Sequence, residues 1–502
     1  MARTRVNVYA GDAWADSVLW YAKGVAAMQS RPLKDPTSWR FWAAMHGFDP
    51  GLWEALGYLR PGEPHPRSAI VRQFWKQCQH GTWYFLPWHR GYLLAFEAKV
   101  RAAVLDLGGP AHWSLPYWNP FGPHQAKLPP AFGSHTWPGQ GHNPLFVSHR
   151  YGPNNDGHVF VPVHEVNLKA LKRSHFSGVS TGGSPGFGGV DTGFSHSGQV
   201  HGELETQPHD WVHGLVGGSD PNDPSIPGLM SDPDTAALDP IFWLHHSNID
   251  RLWETWIRAD PGHHDPTNSH WTNGPTSVGE QGFVAPTPDG QSWTYAPKDV
   301  TSLRTLGYGY DDLTPLSSGS TAKVATTKGT GAVPTNAEPE LVGATTQSVA
   351  LEGEGVSGQV HLDQRVRRSV MAGLMANGPG PVAPADGPDR IFLNLENVKG
   401  TSDATAFQVY VGLVNREDPA AHPELLAGSI APFGVRKASQ RDGEHVGQGL
   451  TFVLDITEVV DRLHLASSFD VDQLPVRLVP LHPVRPGSGI SVGRISIYRH
   501  RI

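Results

Sequence analysis

The chain has 502 residues, enough to bury a large core and, by length alone, to make about three domains. Lys and Arg number 39 against 47 Asp and Glu; a formal net charge of −8 with no long basic run excludes a nucleic-acid surface and a polybasic membrane patch. No stretch approaches ~18 uninterrupted apolar residues, so no membrane-spanning helix is expected. The opening Met1-Ala2-Arg3-Thr4-Arg5-Val6 lacks the apolar run of a signal peptide, so the expected location is cytoplasmic, with carrier-assisted secretion as the other route.

Along the chain, the first residue of chemical interest is His46, in Ala44-Met45-His46-Gly47. Cys78 is the only cysteine, so no intrachain disulfide can form. It stands two residues before His80, in a segment that runs on to Phe85-Leu86-Pro87-Trp88-His89-Arg90. Leu93, Phe96 and Val100 follow at helical spacing and predict a helix with His89 on or beside its buried face. Residues 110–200, rich in Gly, Pro, Ser and His, read as long ordered loops over the helices, with Gly178–Gly193 the least structured. The histidines of this stretch, from His112 to His196, together with His201, are expected at the surface or in loops.

A second set begins at Pro208-His209-Asp210-Trp211-Val212-His213. His209 and His213 are i and i+4; on a helix both imidazoles leave the same face, one turn apart. Pro208 suits a first helical turn and Gly217-Gly218 offer a stop. After Asp239-Pro240, the apolar Phe242, Ile249, Leu252, Trp253 and Trp256 predict a helix that turns His246 inward. Two histidine sets on facing helices predict a mainly α first domain, a four-helix bundle around a dinuclear site with long loops. All-imidazole ligation suits copper, zinc, iron or nickel rather than hard cations, and the spacing leaves the choice open. One rival is a zinc hydrolase using His209 and His213 alone, which leaves the upstream set unexplained.

Past Tyr310 the composition changes. The expected organisation is a catalytic domain at 1–312, a Ser/Thr/Gly-rich linker at 313–345 and an all-β sandwich at 346–502. Its strands are placed at Val349–Leu362, Arg390–Leu395, Phe407–Val414, Leu450–Asp455, Val476–Val479 and Ile490–Tyr498, separated by turn-forming residues.

The motifs around His89, His209–His213 and His246, in this order, resemble the tyrosinase, catechol oxidase and hemocyanin family over roughly residues 1–310, ending at Tyr308-Gly309-Tyr310. The resemblance implies two copper ions, one held by His46, His80 and His89 and the other by His209, His213 and His246, with His245 a hydrogen-bonded neighbour. It implies a thioether between Cys78 and His80. Glu205, four residues before His209, matches a glutamate that holds a water above the second copper, and with Asp210 it could take a phenol's proton. Many relatives have asparagine where Asp210 stands. Pro233, thirteen residues before His246, falls where plant catechol oxidases can place a blocking phenylalanine, so the entrance is expected to be less blocked. Phe242 is read as packing behind the ligands, and Asn248, Asp250 and Arg251 as a polar network orienting the last helix. The implied activity is oxidation of o-diphenols to o-quinones by O2, with hydroxylation of monophenols; the alternatives are an o-aminophenol oxidase and a hemocyanin-like oxygen carrier. The expected partners are phenols, O2 and a copper-delivery protein, and the C-terminal domain is a candidate cap over the active site.

Overall fold

The computed structural model describes residues 3–193, 199–314, 338–376, 389–403, 406–414, 416–442, 446–466, 469, 471–484 and 490–501. Most of the expected linker therefore lies outside the described residues. The helices that frame the first half are α1 (Asp16–Gln29), α2 (Trp39–His46), α3 (Phe85–Asp106), α4 (Trp211–Gly217) and α5 (Pro240–Ala259). Each start has a local cause. Ser38 Oγ accepts from Phe41 N at 3.1 Å and caps α2. Asp239 accepts from Ile241 N at 2.9 Å ahead of Pro240, and Arg150 holds its carboxylate at 2.6 and 2.7 Å.

Helix lengths differ from the expected four-helix bundle. Helices α3 and α5 run for 22 and 20 residues, but α2 and α4 have only 8 and 7. Helix α2 stops at Gly47, and the chain before α4 makes a π-type turn broken at Gln207 (φ −144, ψ 121). Gly47 is needed there, because a Cβ would sit 2.5 Å from Pro233 O. The loop 228–238 can thus lie directly on the end of α2. Between residues 110 and 200 regular structure is sparse, as expected, although Ser177–Gly178 and Gly189–Val190 pair as short parallel strands within the segment thought least structured.

A buried ionic knot ties the two long helices to both ends of this half. Arg5 donates to Glu97 of α3 at 2.8 Å and to Asp250 of α5 at 3.1 Å, and Arg90 reaches Asp250 at 2.5 Å. Tyr308 and Tyr310 also donate to Asp250, on the strand Tyr308–Tyr310 that pairs with Arg3–Arg5. Arg251 donates to Asn248 at 2.9 Å. The expected network on the last helix is present and reaches both the start of the chain and the tyrosine motif.

Among the described residues the second half is one nine-stranded sheet, not two facing sheets. Its strands are β1 (Glu340–Ala344), β2 (Val349–Ala350), β3 (Val356–Leu362), β4 (Asp389–Lys399), β5 (Phe407–Val411), β6 (Leu426–Ile430), β7 (Leu450–Asp455), β8 (Gln473–Pro480) and β9 (Ser491–Arg501). The hydrogen-bonded order is β6-β5-β8-β3-β1-β9-β4-β7, with β2 on β9. The sheet curls like a barrel, bringing β6 back against β7: a Cβ on Gly428 would meet Leu454 at 3.0 Å. Alternating burial along β7 and β8 points one face into an apolar core that includes Leu450, Phe452, Val476 and Leu478. Two strands, β1 and β6, fall outside the expected segments.

Candidate metal centre

The six expected ligands converge. His46 ends α2, His80 lies in the loop before α3, and His89 is in the first turns of α3. His209 lies in the irregular turn before α4, His213 in α4 and His246 in the second turn of α5. All are at most 7% exposed. Ring centroids in the upstream set are 5.1 to 5.8 Å apart, and in the downstream set 4.5 to 5.5 Å. The sets touch, with His89 stacked on His246 at 4.3 Å and His80 at 5.9 Å from His209. The i,i+4 pair therefore meets although His209 precedes the helix.

Nearby acceptors aim the rings. Nδ1 of His46, His89 and His213 bonds to the carbonyls of Pro233, Phe85 and Met230, each at 2.8 Å. Nδ1 of His209 bonds to Asp210 Oδ1 at 2.9 Å. These bonds turn Nε2 toward the common centre, the arrangement that fixes the tautomer of a metal ligand. There, Nε2 of His46 and of His209 has no protein partner, and His213 Nε2 faces His246 Nε2 at 3.3 Å. Burial lowers the pKa of His46 to about 4, and burial together with the neighbouring imidazoles carries His80, His209 and His246 well below the ordinary range; burial also depresses His89 and His213. Neutral, buried imidazoles in two groups of three, with the Nε2 of His46 and of His209 left without a protein partner, fit a pair of transition-metal ions. Phe242 packs behind them, 4.8 Å from His46 and 4.3 Å from His246.

His245 also faces this region, 5.4 Å from His209 and 4.9 Å from His213, and one ligand atom from each of the three lies within 4.8 Å of the others. Its ring stays on the downstream side, whereas His246 reaches the upstream set, 6.2 Å from His46. Cys78 Sγ sits 3.5 and 3.6 Å from the ring nitrogens of His80 and 3.3 Å from His89 Nε2.

The acids occupy less expected places. Both Glu205 oxygens accept from Gly81 N, at 2.8 and 3.1 Å, which puts this carboxylate beside the His80 loop. Burial pushes the Glu205 carboxyl up to about 8, with His201 pulling down and Asp210 pushing up. Asp210 is fully buried, and both its oxygens are engaged by imidazoles: Oδ1 by His209 and Oδ2 by His201 Nδ1 at 2.7 Å. His201 is thus a buried partner of the centre, 2% exposed, rather than the surface or loop residue that its Gly-flanked sequence suggests.

Pro233 does not border an open entrance. It is buried, its carbonyl holds His46, and its ring lies 3.7 Å from where a Cβ of Gly434 would stand. The ring over the histidines comes from the other half of the chain. Phe433, between β6 and the short helix α6 (Val435–Ala438), stacks on His213 at 4.3 Å and lies 5.3 and 5.6 Å from His80 and His209. It is 2% exposed and packs in the core of the helical half. Three residues on, Arg436 donates to Asp232 at 2.8 Å and to Asp234 and Asp49 at 3.1 Å each, and Lys437 reaches Asp234 at 3.5 Å. Sequence reasoning left this residue unnamed. The available signal was a large aromatic in a turn, Ala431-Pro432-Phe433-Gly434, where an apolar ring has no reason to face water.

The family model described as "Common central domain of tyrosinase" matches residues 36–177 and 177–259, and "Domain of unknown function (DUF7868)" matches 338–500. The tyrosinase HcTyr1 of Hahella sp. (strain CCB-MM4) is 36% identical over 511 residues, covering 99% of each chain. A chloroplastic polyphenol oxidase of Malus domestica is 26% identical, over 92% of this chain and 72% of its own. The solved structure of latent apple tyrosinase is similar with a TM-score of 0.59 across 99% of this chain and 97% of that one, a likeness of fold at 21% identity. No helix among the described residues is long and apolar enough to cross a membrane. With a relative at 36% identity along its whole length, and the central domain matched across both histidine sets, the chain belongs to the tyrosinase family.

Proposed function

We propose that this copper-dependent oxidoreductase, which oxidises catechols to o-quinones with O2, also hydroxylates monophenols, and that its C-terminal half covers the site until it is displaced. The observation that carries the reading is the convergence of six buried, neutral imidazoles with a carboxylate at their edge. His46, His80 and His89 would hold one copper and His209, His213 and His246 the other. His246 is preferred over His245 because only its ring lies between the two sets. When bound, the copper pair supplies O2 binding and the two-electron exchange with the phenol.

The protein residues do the rest. The carbonyls of Pro233, Phe85 and Met230 and the Asp210 carboxylate keep Nε2 of four imidazoles aimed and their Nδ1 protonated. Glu205, anchored on Gly81 N at the edge of the imidazoles, is suited to accept a phenol's proton. Asp210, with both oxygens engaged, orients His209 instead of meeting substrate, which departs from the proton-taking pair expected of it. The Phe433 ring occupies the face of His213 and His209 where a flat phenol would stack.

The test is p-cresol and 4-methylcatechol turnover by copper-loaded wild type and Glu205→Gln. Hydroxylation falling at least ~100-fold in Glu205→Gln, with catechol oxidation less affected, supports the assignment. Brisk catechol turnover with no p-cresol turnover in wild type would reduce the function to catechol oxidation.

A further inference from the structure

Asp210 poses a charge problem that an amide at the same position would not. Its carboxylate is fully buried beside a second buried carboxylate, Glu205, which is 1% exposed. Two like charges this close in a dry site need a cation between them or one must take a proton. Among the described residues, the groups within ion-pair reach of these acids are His201 and His209. His209 is turned toward the metal centre. His201 alone meets both acids, with Nδ1 at 2.7 Å from Asp210 Oδ2 and 3.8 Å from Glu205 Oε1.

We infer that His201 is a positioning residue: its imidazolium, set between Asp210 and Glu205, holds Asp210 against His209 and supplies the charge that lets both acids remain buried beside the centre. The inference rests on the proposed function for its link to phenol chemistry, but the His201–Asp210 coupling is a property of the folded chain itself. Burial disfavours a charged ring, yet the two acids outweigh it and carry His201 up to about 9. The ring is fixed from the far side too. Phe452 of β7 lies 5.8 Å away, and Val200 forms a β-bridge with Thr451. The C-terminal sheet therefore closes over the relay His201–Asp210–His209, and aspartate at 210 with histidine at 201 forms a matched pair. Asparagine at 210 would need no such cation.

The test is a double-mutant cycle in the full chain: wild type, His201→Gln, Asp210→Asn and the double variant. Urea unfolding of the metal-free proteins gives the first readout, and kcat and KM for p-cresol and 4-methylcatechol after copper loading give the second. His201→Gln should destabilise the metal-free chain and lower p-cresol kcat by about tenfold with KM nearly unchanged, while the same change in the Asp210→Asn background should cost about threefold or less. If His201→Gln fails to fold and the double variant folds, the charge pairing is upheld. If the two losses simply add, or neither variant folds, His201 is a packing residue and the inference is overturned. A wild type that unfolds with this coupling but oxidises no phenol would refute the proposed function and leave the pairing standing.

Discussion

Replacing Arg436 by Ala should open the site without touching a histidine. The Arg436 guanidinium is 21% exposed at its side chain and bonds to Asp232, Asp234 and Asp49 of the helical half, three residues after the ring that covers His213. In the docked state the substitution leaves Asp232 at 0% and Asp234 at 6% exposure, with Asp403 of the C-terminal half beside them at 3%, without the guanidinium, while Lys437 still reaches Asp234. Breaking a fully buried pair costs about 3–5 kcal/mol; with part of this one exposed and Lys437 remaining, about 2–3 kcal/mol is the fitting range. Undocking returns the aspartates to water and relieves that cost. The open fraction should therefore rise roughly 30- to 150-fold, at about 1.4 kcal/mol per decade. The assay is the initial rate of quinone formation from a bulky catechol by uncut wild type, uncut Arg436→Ala, and both after cleavage between Thr314 and Glu338. Copper per chain serves as control, since Asp232 and Asp234 flank Pro233, which bonds His46. A gain in the uncut variant that disappears after cleavage is expected. If cleavage activates wild type and Arg436→Ala stays as slow as uncut wild type with full copper, the latch reasoning fails; if cleavage activates neither, the C-terminal half is not a cap.

Phe433→Ala should lower KM for bulky phenols in the uncut chain more than it changes kcat, because the ring competes for the stacking face; steady-state kinetics on 4-tert-butylcatechol read the split, and an unchanged KM counts against the plug. His213→Ala and His246→Ala should each lose copper from one site, while His245→Ala keeps copper at both, as metal analysis after loading will report; copper loss in His245→Ala alone would exchange the roles of the adjacent pair. A tryptic peptide spanning Cys78 and His80 should weigh about two hydrogens less after copper loading in air, since Sγ already lies 3.5 Å from the ring; a free, alkylatable thiol would remove the thioether. Stability should fall in acid. Burial raises Glu97 and Asp250, but Arg5, Arg101 and Arg90 overcome it and hold both carboxyls below the ordinary range. A depressed folded pKa adds stability that is in place above the unfolded value near ~4 and is lost as pH drops toward the folded one. The melting temperature of Asp250→Asn should therefore be lower at pH 7 and flatter below about pH 4.5 than that of wild type; parallel curves would mean the knot is not what acid titrates.

What was legible in the sequence was local chemistry. The histidines announced themselves because a ligand must sit on a repeating helical face or beside a fixed turn, and the strands of the second half because alternation and turn residues are read within a few positions. The helix lengths were not legible: α2 stops at Gly47 because the 233–234 backbone lies against it, a contact nearly 190 residues away in sequence. Pro233 shows the same limit from the other side. Its small size suggested an open door, but the door is closed by Phe433, from a segment whose composition says only turn. Asp210 and His201 show it at the level of charge. Read singly, the first was a proton acceptor and the second a loop histidine; within 2.7 Å of each other and buried, each becomes the reason for the other. A buried acid next to a ligand cannot be assigned from its own neighbours in the chain, because its role is decided by whichever cation the fold delivers. Here the fold delivers His201 and then closes the C-terminal sheet over it, so the piece of the chain that covers the entrance also seals the charge pair that steadies His209. Displacing that half should therefore change the second site's surroundings as well as its access, and a cut chain that gains activity while its downstream histidine environment stays unaltered would separate the two effects.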